Sequence, residues 1–288
     1  MCDESALREW ASLAISRRGL LSGAAATGLA ACSRIPTAEP DPASRVVRSP
    51  IAIQTGDGVL DATLTRVDRE QRATILLWPD IAGPRAAFDT IAARFARQDF
   101  TVLTLNSYYR DVADGQFPDF ADFVDADGFA RSEPWRARLT SAAIGADATA
   151  VVDWIAASSE VDKALPLVTQ GYCLGGAHAL WTARALGERV VAAVSLHGAG
   201  LVEDSETSPH TALLNTDTEF FFAIARNDDR SRPDEKAIFA RLDAVSRVYD
   251  ADHGWTVPDA PDYDAAQADK AFADVLRLYD RRLGALVT

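Results

Sequence analysis

LPLVTQGYCLGGAHAL, residues 165–180, decides how this chain is read. An apolar run ends at Gly171-Tyr172-Cys173-Leu174-Gly175-Gly176, and an alanine-rich pattern of helical spacing follows at once. Such a sequence describes a strand that turns sharply into a helix and presents one side chain at the turn. Glycines two before, two after and three after Cys173 supply clearance, because a Cβ there would strike the neighbouring strand and helix. An elbow of this kind carries a strained nucleophile. The usual residue is serine; here it is cysteine.

Working outward, ATILLW at residues 73–78 is a continuous apolar run, as expected of a strand buried on both faces, and residues 101–105 read as the next buried strand. Between them, Phe88, Ile91, Ala92 and Phe95 recur at helical spacing within residues 85–98. Residues 46–55 and 59–67 read as extended, and Gly56-Asp57-Gly58 suits a hairpin turn. Residues 106–138 are aromatic, acidic and irregular, a length expected of a lid or pocket wall. A helix is expected over 139–157, just before the elbow.

Downstream, residues 190–196 form an expected strand ending at His197-Gly198. EFFFAIA at 219–225 is another, ending at Arg226-Asn227-Asp228-Asp229. A helix is expected over 234–245, a short strand over 247–249, then a loop Asp252-His253-Gly254-Trp255, and a closing amphipathic helix over 264–283. Strands alternating with helices imply an α/β fold with a mostly parallel, doubly wound sheet, helices on both faces, and an antiparallel hairpin at its start. No internal repeat is visible, and residues 46–288 read as one domain.

The chain has 288 residues, 48% of them hydrophobic, and a formal net charge of −13. That charge argues against nucleic acid or an anionic membrane surface as the main partner. Residues 1–32 read as a signal: Ser16-Arg17-Arg18-Gly19-Leu20-Leu21 is a twin-arginine pattern, followed by a small, apolar run. The run is shorter than the about 20 apolar residues of a membrane span. Leu29-Ala30-Ala31-Cys32 resembles a lipobox, so Cys32 is a candidate for lipidation and membrane attachment, the alternative being ordinary cleavage near Ala30-Ala31. Export by the twin-arginine route, to the periplasm or a lipid anchor on the cell envelope, is the expectation; a spurious signal would leave the protein in the cytoplasm. Residues 33–45 read as a flexible tether. Cys173 is then the one cysteine left in the folded domain, with no internal disulfide expected.

In an open α/β sheet, active loops lie at the carboxyl ends of the strands. Four such ends carry suitable groups here: Cys173, Asp228 or Asp229, His253, and the Asp80-Ile81 pair after ATILLW. Nucleophile, acid and histidine follow in the chain order of α/β-hydrolases. His253 would take the proton of the Cys173 thiol, whose ordinary pKa is about 8.5, and later return one to a leaving group. The aspartate would fix the imidazole tautomer. The N–H of Leu174 and that of Ile81 are the expected oxyanion-hole donors. His197 is the rival base; His178 reads as packing and His210 as loop.

From about residue 73 onward the chain resembles the dienelactone hydrolase family. The G-x-C-x-G-G elbow, Asn227-Asp228-Asp229 and Asp252-His253-Gly254-Trp255 carry the resemblance. It implies an α/β-hydrolase that opens lactones or cleaves esters of small molecules through a Cys-His-Asp triad, without metal or cofactor. It further implies Asp80 as a carboxylate contacting the resting cysteine, although the family normally has glutamate there. By the match of residues 106–110, Arg110 would bind a substrate carboxylate. The best-known members carry a second arginine shortly after the histidine, and Gly254-Trp255-Thr256-Val257 supplies none. An acyltransferase on the same fold and a non-catalytic exported binding protein are the competing readings.

Overall fold

The alternation of apolar strand runs with amphipathic helices builds one eight-stranded sheet. The computed structural model describes residues 45–286. The signal expected at 1–32, with Cys32, and the tether up to residue 44 lie outside the described residues. Strands β1 (Val46–Thr55) and β2 (Gly58–Val67) form a hairpin whose register pairs Val46 with Val67 and Thr55 with Gly58. Strand β2 then pairs antiparallel with β4 (Phe100–Leu105). From β4 onward all neighbours are parallel, through β3 (Ala73–Trp78), β5 (Leu167–Tyr172), β6 (Val190–Leu196), β7 (Glu219–Ala225) and β8 (Val245–Tyr249). The order is β1-β2-β4-β3-β5-β6-β7-β8.

The central strands β3, β5 and β6 are buried at every position because both faces are covered. Ala73, Ile75 and Leu77 of β3 join one core with α1 (Ala86–Ala96) and α8 (Ala265–Gly284). Leu76 and Trp78 join the other, with α4 (Ser141–Ala157) and α5 (Leu174–Leu186). Polar side chains define helix starts: Thr140 accepts the Ala143 N–H at 3.1 Å and Asp264 the Gln267 N–H at 3.0 Å.

Residues 106–138 are less irregular than their sequence suggests, since they hold α2 (Phe120–Asp125) and α3 (Gly128–Arg136). Phe117, Phe120 and Phe129 pack edge-on or tilted against Phe123 with ring centroids 4.8–5.4 Å away, so a local aromatic core rather than helical periodicity supports them. Two boundaries also move. The end of β7 runs directly into a short helix, α6 (Arg226–Ser231), and the helix expected over 234–245 is reduced to α7 (Glu235–Arg241). Val245 instead opens β8, paired with Phe221 of β7.

The loops after β3, β5, β7 and β8 converge at the carboxyl ends of the parallel strands. A cavity of about 980 Å³ lies at their opposite ends, among residues that precede strands, such as Arg72, Asp99, Pro166 and Arg189. No helix among the described residues is long and apolar enough to cross a membrane.

Candidate active site

The elbow is shaped by how closely three backbones approach. Cys173 lies between β5 and α5 with φ 51° and ψ −116°, a conformation that non-glycine residues adopt only under strain. Its N–H donates to the Leu196 carbonyl of β6 at 3.0 Å, and its carbonyl accepts the N–H groups of Gly176 at 3.0 Å and Ala199 at 3.3 Å. A Cβ on Gly171 would fall on the Gly175 carbonyl, and one on Gly175 would meet the carbonyls of Trp78 and Pro79 at the end of β3. Gly176 is held against the Ser195 hydroxyl of β6 in the same way. The three glycines therefore let α5 start in contact with β3 and β6. Cys173 sits, only 4% exposed, at the positive end of the α5 dipole.

His253 reaches this position from the loop after β8. Its Nδ1 lies 2.8 Å from Oδ2 of Asp228, which stands in the first turn of α6, immediately after β7. Asp229 turns away and pairs with Lys236 Nζ at 2.7 Å. Burial alone would lower the His253 pKa. Asp228 and then Cys173, by charge and hydrogen bonding, outweigh that and hold the imidazole well above its ordinary value. Asp228, His253 and Cys173 are thus brought together from three separate strand ends.

Asn227 is a member of this arrangement that the sequence reading passed over. Its Oδ1 accepts the His253 N–H at 2.9 Å and the Asp228 N–H at 3.1 Å, tying the two loops together. Its position next to the aspartates, in the cluster already singled out, was the available signal.

The other histidines lie elsewhere. His197 is buried under the site with φ 39°, its ring centroid 5.0 Å from that of His253 and its Nε2 2.8 Å from Thr256 Oγ1. Burial, with the His253 charge second, pushes its pKa well below the usual value, so it stays neutral. His178 packs edge-on against Trp78, and burial lowers its pKa to about 3. His210 is paired with Ser208. Trp255 is fully buried against Tyr249 and His197 as a core residue.

Leu174 is the first residue of α5, so its N–H has no carbonyl one turn earlier to bind. Ile81 lies in the loop after β3, the strand against which the elbow glycine Gly175 packs, and the Tyr108 hydroxyl donates to its carbonyl at 2.9 Å. Among the described residues no cluster of three or more histidine, cysteine or acidic side chains is placed to hold a metal ion.

A model of the dienelactone hydrolase family matches residues 60–283. The chain belongs to the dienelactone hydrolase family. It is accordingly a hydrolase-like enzyme with an α/β-hydrolase fold. Solved structures similar to it include a putative dienelactone hydrolase from Klebsiella pneumoniae subsp. pneumoniae, at 16% identity and TM-score 0.66, covering 82% of this chain and 98% of that one. A dienelactone hydrolase-like promiscuous phosphotriesterase from metagenomic libraries matches at 19% identity and TM-score 0.61, with the same coverage. A hyperthermophilic esterase from the archaeon Pyrobaculum calidifontis matches at 18% identity and TM-score 0.56, covering 85% of each chain. At these identities the likeness is one of fold. No curated protein matches the chain.

Asp80 and Arg110, the two residues singled out by the family pattern, both meet partners within the protein. Asp80 gives both carboxylate oxygens to Arg85, at 2.7 and 2.8 Å, so it is oriented by an arginine. Arg110 forks onto Asp147 at 2.7 and 2.8 Å and binds Asp57 through Nε at 2.7 Å. With its side chain 3% exposed and its donors so engaged, Arg110 fastens the β1–β2 hairpin to α4. Tyr109 belongs to the same cluster, its hydroxyl 2.7 Å from Asp147 and 2.8 Å from Thr55.

Proposed function

We propose that this dienelactone hydrolase family member cleaves a carboxylic ester or lactone of a small molecule through Cys173, His253 and Asp228. The supporting observation is the 2.8 Å contact between Asp228 and an imidazole whose pKa is raised by both Asp228 and Cys173. In this reading the Cys173 proton resides on His253 in the resting enzyme, and the sulfur attacks the substrate carbonyl carbon. The oxygen of the tetrahedral intermediate gathers negative charge and accepts hydrogen bonds from the N–H groups of Leu174 and Ile81. Collapse breaks the C–O bond, His253 donates its proton to the departing alkoxide, and a thioester on Cys173 remains. Water then attacks the thioester as neutral His253 takes its proton. The C–S bond breaks, the carboxylic acid leaves, and the thiolate–imidazolium pair of the resting enzyme is restored. Asp228 holds Nδ1 throughout, so Nε2 is the nitrogen that exchanges protons.

The acyl group is proposed to be uncharged, because Arg85 and Arg110 give their guanidinium groups to carboxylates of the protein itself. Export by the twin-arginine route is proposed from Arg17-Arg18 and the apolar run that follows. Changing both arginines to lysine should hold the protein in the cytoplasm on cell fractionation; a distribution unchanged from wild type would refute the twin-arginine route.

The chemistry is tested with p-nitrophenyl acetate and a panel of small lactones, comparing wild type with Cys173→Ala. Turnover by wild type, an acyl adduct on Cys173 seen by mass spectrometry, and loss of both in the variant are expected. No wild-type turnover, with Cys173 alkylated by iodoacetamide no faster than a free thiol, would sink the reading.

A further inference from the structure

We infer that Arg85 is a positioning residue that sets the Ile81 peptide for catalysis and couples this loop to the histidine loop and to the start of α2. The inference rests on the proposed reaction, in which the Ile81 N–H receives the oxyanion.

The guanidinium uses all five of its N–H donors. Nη1 donates to Asp80 Oδ1 at 2.7 Å and to the Gly83 carbonyl at 3.0 Å, and Nη2 to Asp80 Oδ2 at 2.8 Å. Nε donates to Asp259 Oδ2 at 2.7 Å, and Nη2 also to Asp259 Oδ1 at 2.9 Å. An arginine carries five such hydrogens in a fixed planar fork, so each carboxylate is held at one angle only. The Arg85 side chain has no solvent exposure and that of Asp80 has 6%. Water therefore competes little for these bonds, and the two carboxylates hold the buried arginine charged.

Each carboxylate passes the constraint on. Asp80 Oδ1 accepts the Ala82 N–H at 3.0 Å, while the Asp80 carbonyl accepts the Gly83 N–H at 3.0 Å. Gly83 takes φ +77°, which closes the turn. Ile81 is thus fixed from both sides, and its carbonyl is held by Tyr108 at 2.9 Å. An amide whose flanking groups are all bonded keeps one orientation for its N–H, which is the preorganisation an oxyanion donor needs.

Asp259 carries the grip to the far side of the site. It follows His253 by six residues, and its Oδ2 also accepts the N–H of Phe120, the first residue of α2, at 3.0 Å. The guanidinium lies 5.7 Å from the Phe120 ring and 5.1 Å from the Phe88 ring. One cation therefore joins three segments that are distant in sequence.

Arg85→Ala would leave the buried Asp80 and half-buried Asp259 carboxylates facing each other, so the informative variants are Arg85→Lys, which keeps the charge but not the fork, and Asp259→Asn. In the full chain, Arg85→Lys should lower kcat for p-nitrophenyl acetate by roughly 10- to 100-fold, with KM and the iodoacetamide alkylation rate of Cys173 changed by less than about threefold. Alkylation builds no oxyanion, so it reports the thiol–imidazole pair alone. Amide hydrogen exchange should rise together in peptides covering residues 80–85, 117–125 and 253–260. Asp259→Asn, which spares the Asp80 contact, should raise exchange in the last two only. Unchanged kcat, alkylation falling in parallel with kcat, or exchange rising in residues 80–85 alone in Arg85→Lys would overturn the inference. A wild type with no esterase activity would instead refute the proposed reaction, and the exchange measurement would still decide whether Arg85 couples the three segments.

Discussion

Asp228 Oδ2 stands 2.8 Å from His253 Nδ1, whereas the next residue, Asp229, is paired with Lys236. The split arises because α6 begins at Arg226, directly after β7. On a helix, successive side chains diverge by about 100°, so two adjacent aspartates are sent in different directions. The backbone, rather than any difference in chemistry, selects between them.

Asp228→Asn should therefore reduce kcat by on the order of 10²–10⁴, while Asp229→Asn leaves it near the wild-type value. The two variants should also differ in pH response. The His253 pKa is raised in the folded protein, so its charged form stabilises the fold fully below the ordinary imidazole value of about 6.5. That contribution is lost as pH rises through the raised value. Melting temperature should accordingly fall on the alkaline side in wild type and in Asp229→Asn, and fall less in Asp228→Asn. The alkaline limb of the kcat profile should move to lower pH in Asp228→Asn alone.

The elbow glycines make a steric prediction. Alanine at Gly171 or Gly175 places a methyl group on backbone carbonyls that belong to α5 and to the end of β3. Neither neighbour is a side chain that can rotate away. Each substitution should cost on the order of 3 kcal/mol or more, a melting temperature lower by roughly 6–12 °C. Calorimetry that finds either variant as stable as wild type would show that the strand and helix are less closely apposed.

Replacing Arg110 separates a structural role from a substrate-binding one. Asp147 is 1% exposed, and removing its arginine leaves a buried charge without its main counterion. Arg110→Met should destabilise the fold by about 3–5 kcal/mol, and adding Asp147→Leu should recover most of the loss. KM for an ester bearing a remote carboxylate should not change. A selective rise in that KM would restore Arg110 to the substrate site.

Asn227→Ala removes the acceptor shared by the His253 and Asp228 N–H groups. A lost acceptor for buried donors costs about 1–3 kcal/mol. Here it should appear mainly as a lower kcat, since both groups flank the reacting imidazole. Asn227→Asp, which keeps an oxygen in place, should retain more activity than the alanine variant.

The parts of this molecule written in local sequence are the ones legible without a structure. Strands β3, β6 and β7 are continuous apolar runs, because two helical layers cover them, and the crowding around Cys173 can be satisfied only by glycine. His253 and the aspartate pair sit at strand ends whose order along the chain suits a triad. What could not be read depends on contacts across the chain. Asp80 and Arg85 lie close in sequence, but Asp259 joins them from 174 residues away. Arg110 stands beside Asp111, a natural local partner, yet bonds Asp57 and Asp147 instead. Helices α2 and α3 are not legible because phenylalanines clustered around Phe123, rather than a regular apolar stripe, stabilise them, and α3 contains Pro134.

Strand β8 borders the sheet, hydrogen-bonded on one side to β7, with Val245 and Val248 about half exposed. The loop it carries holds His253. The base is therefore suspended from the margin of the sheet while Cys173 is rooted in its centre. Fraying begins at margins, where few buried contacts must be broken. Heating should thus silence the enzyme before it melts: hydrolysis should disappear several degrees below the calorimetric transition and return on cooling, with Cys173 still enclosed by β3 and β6 throughout.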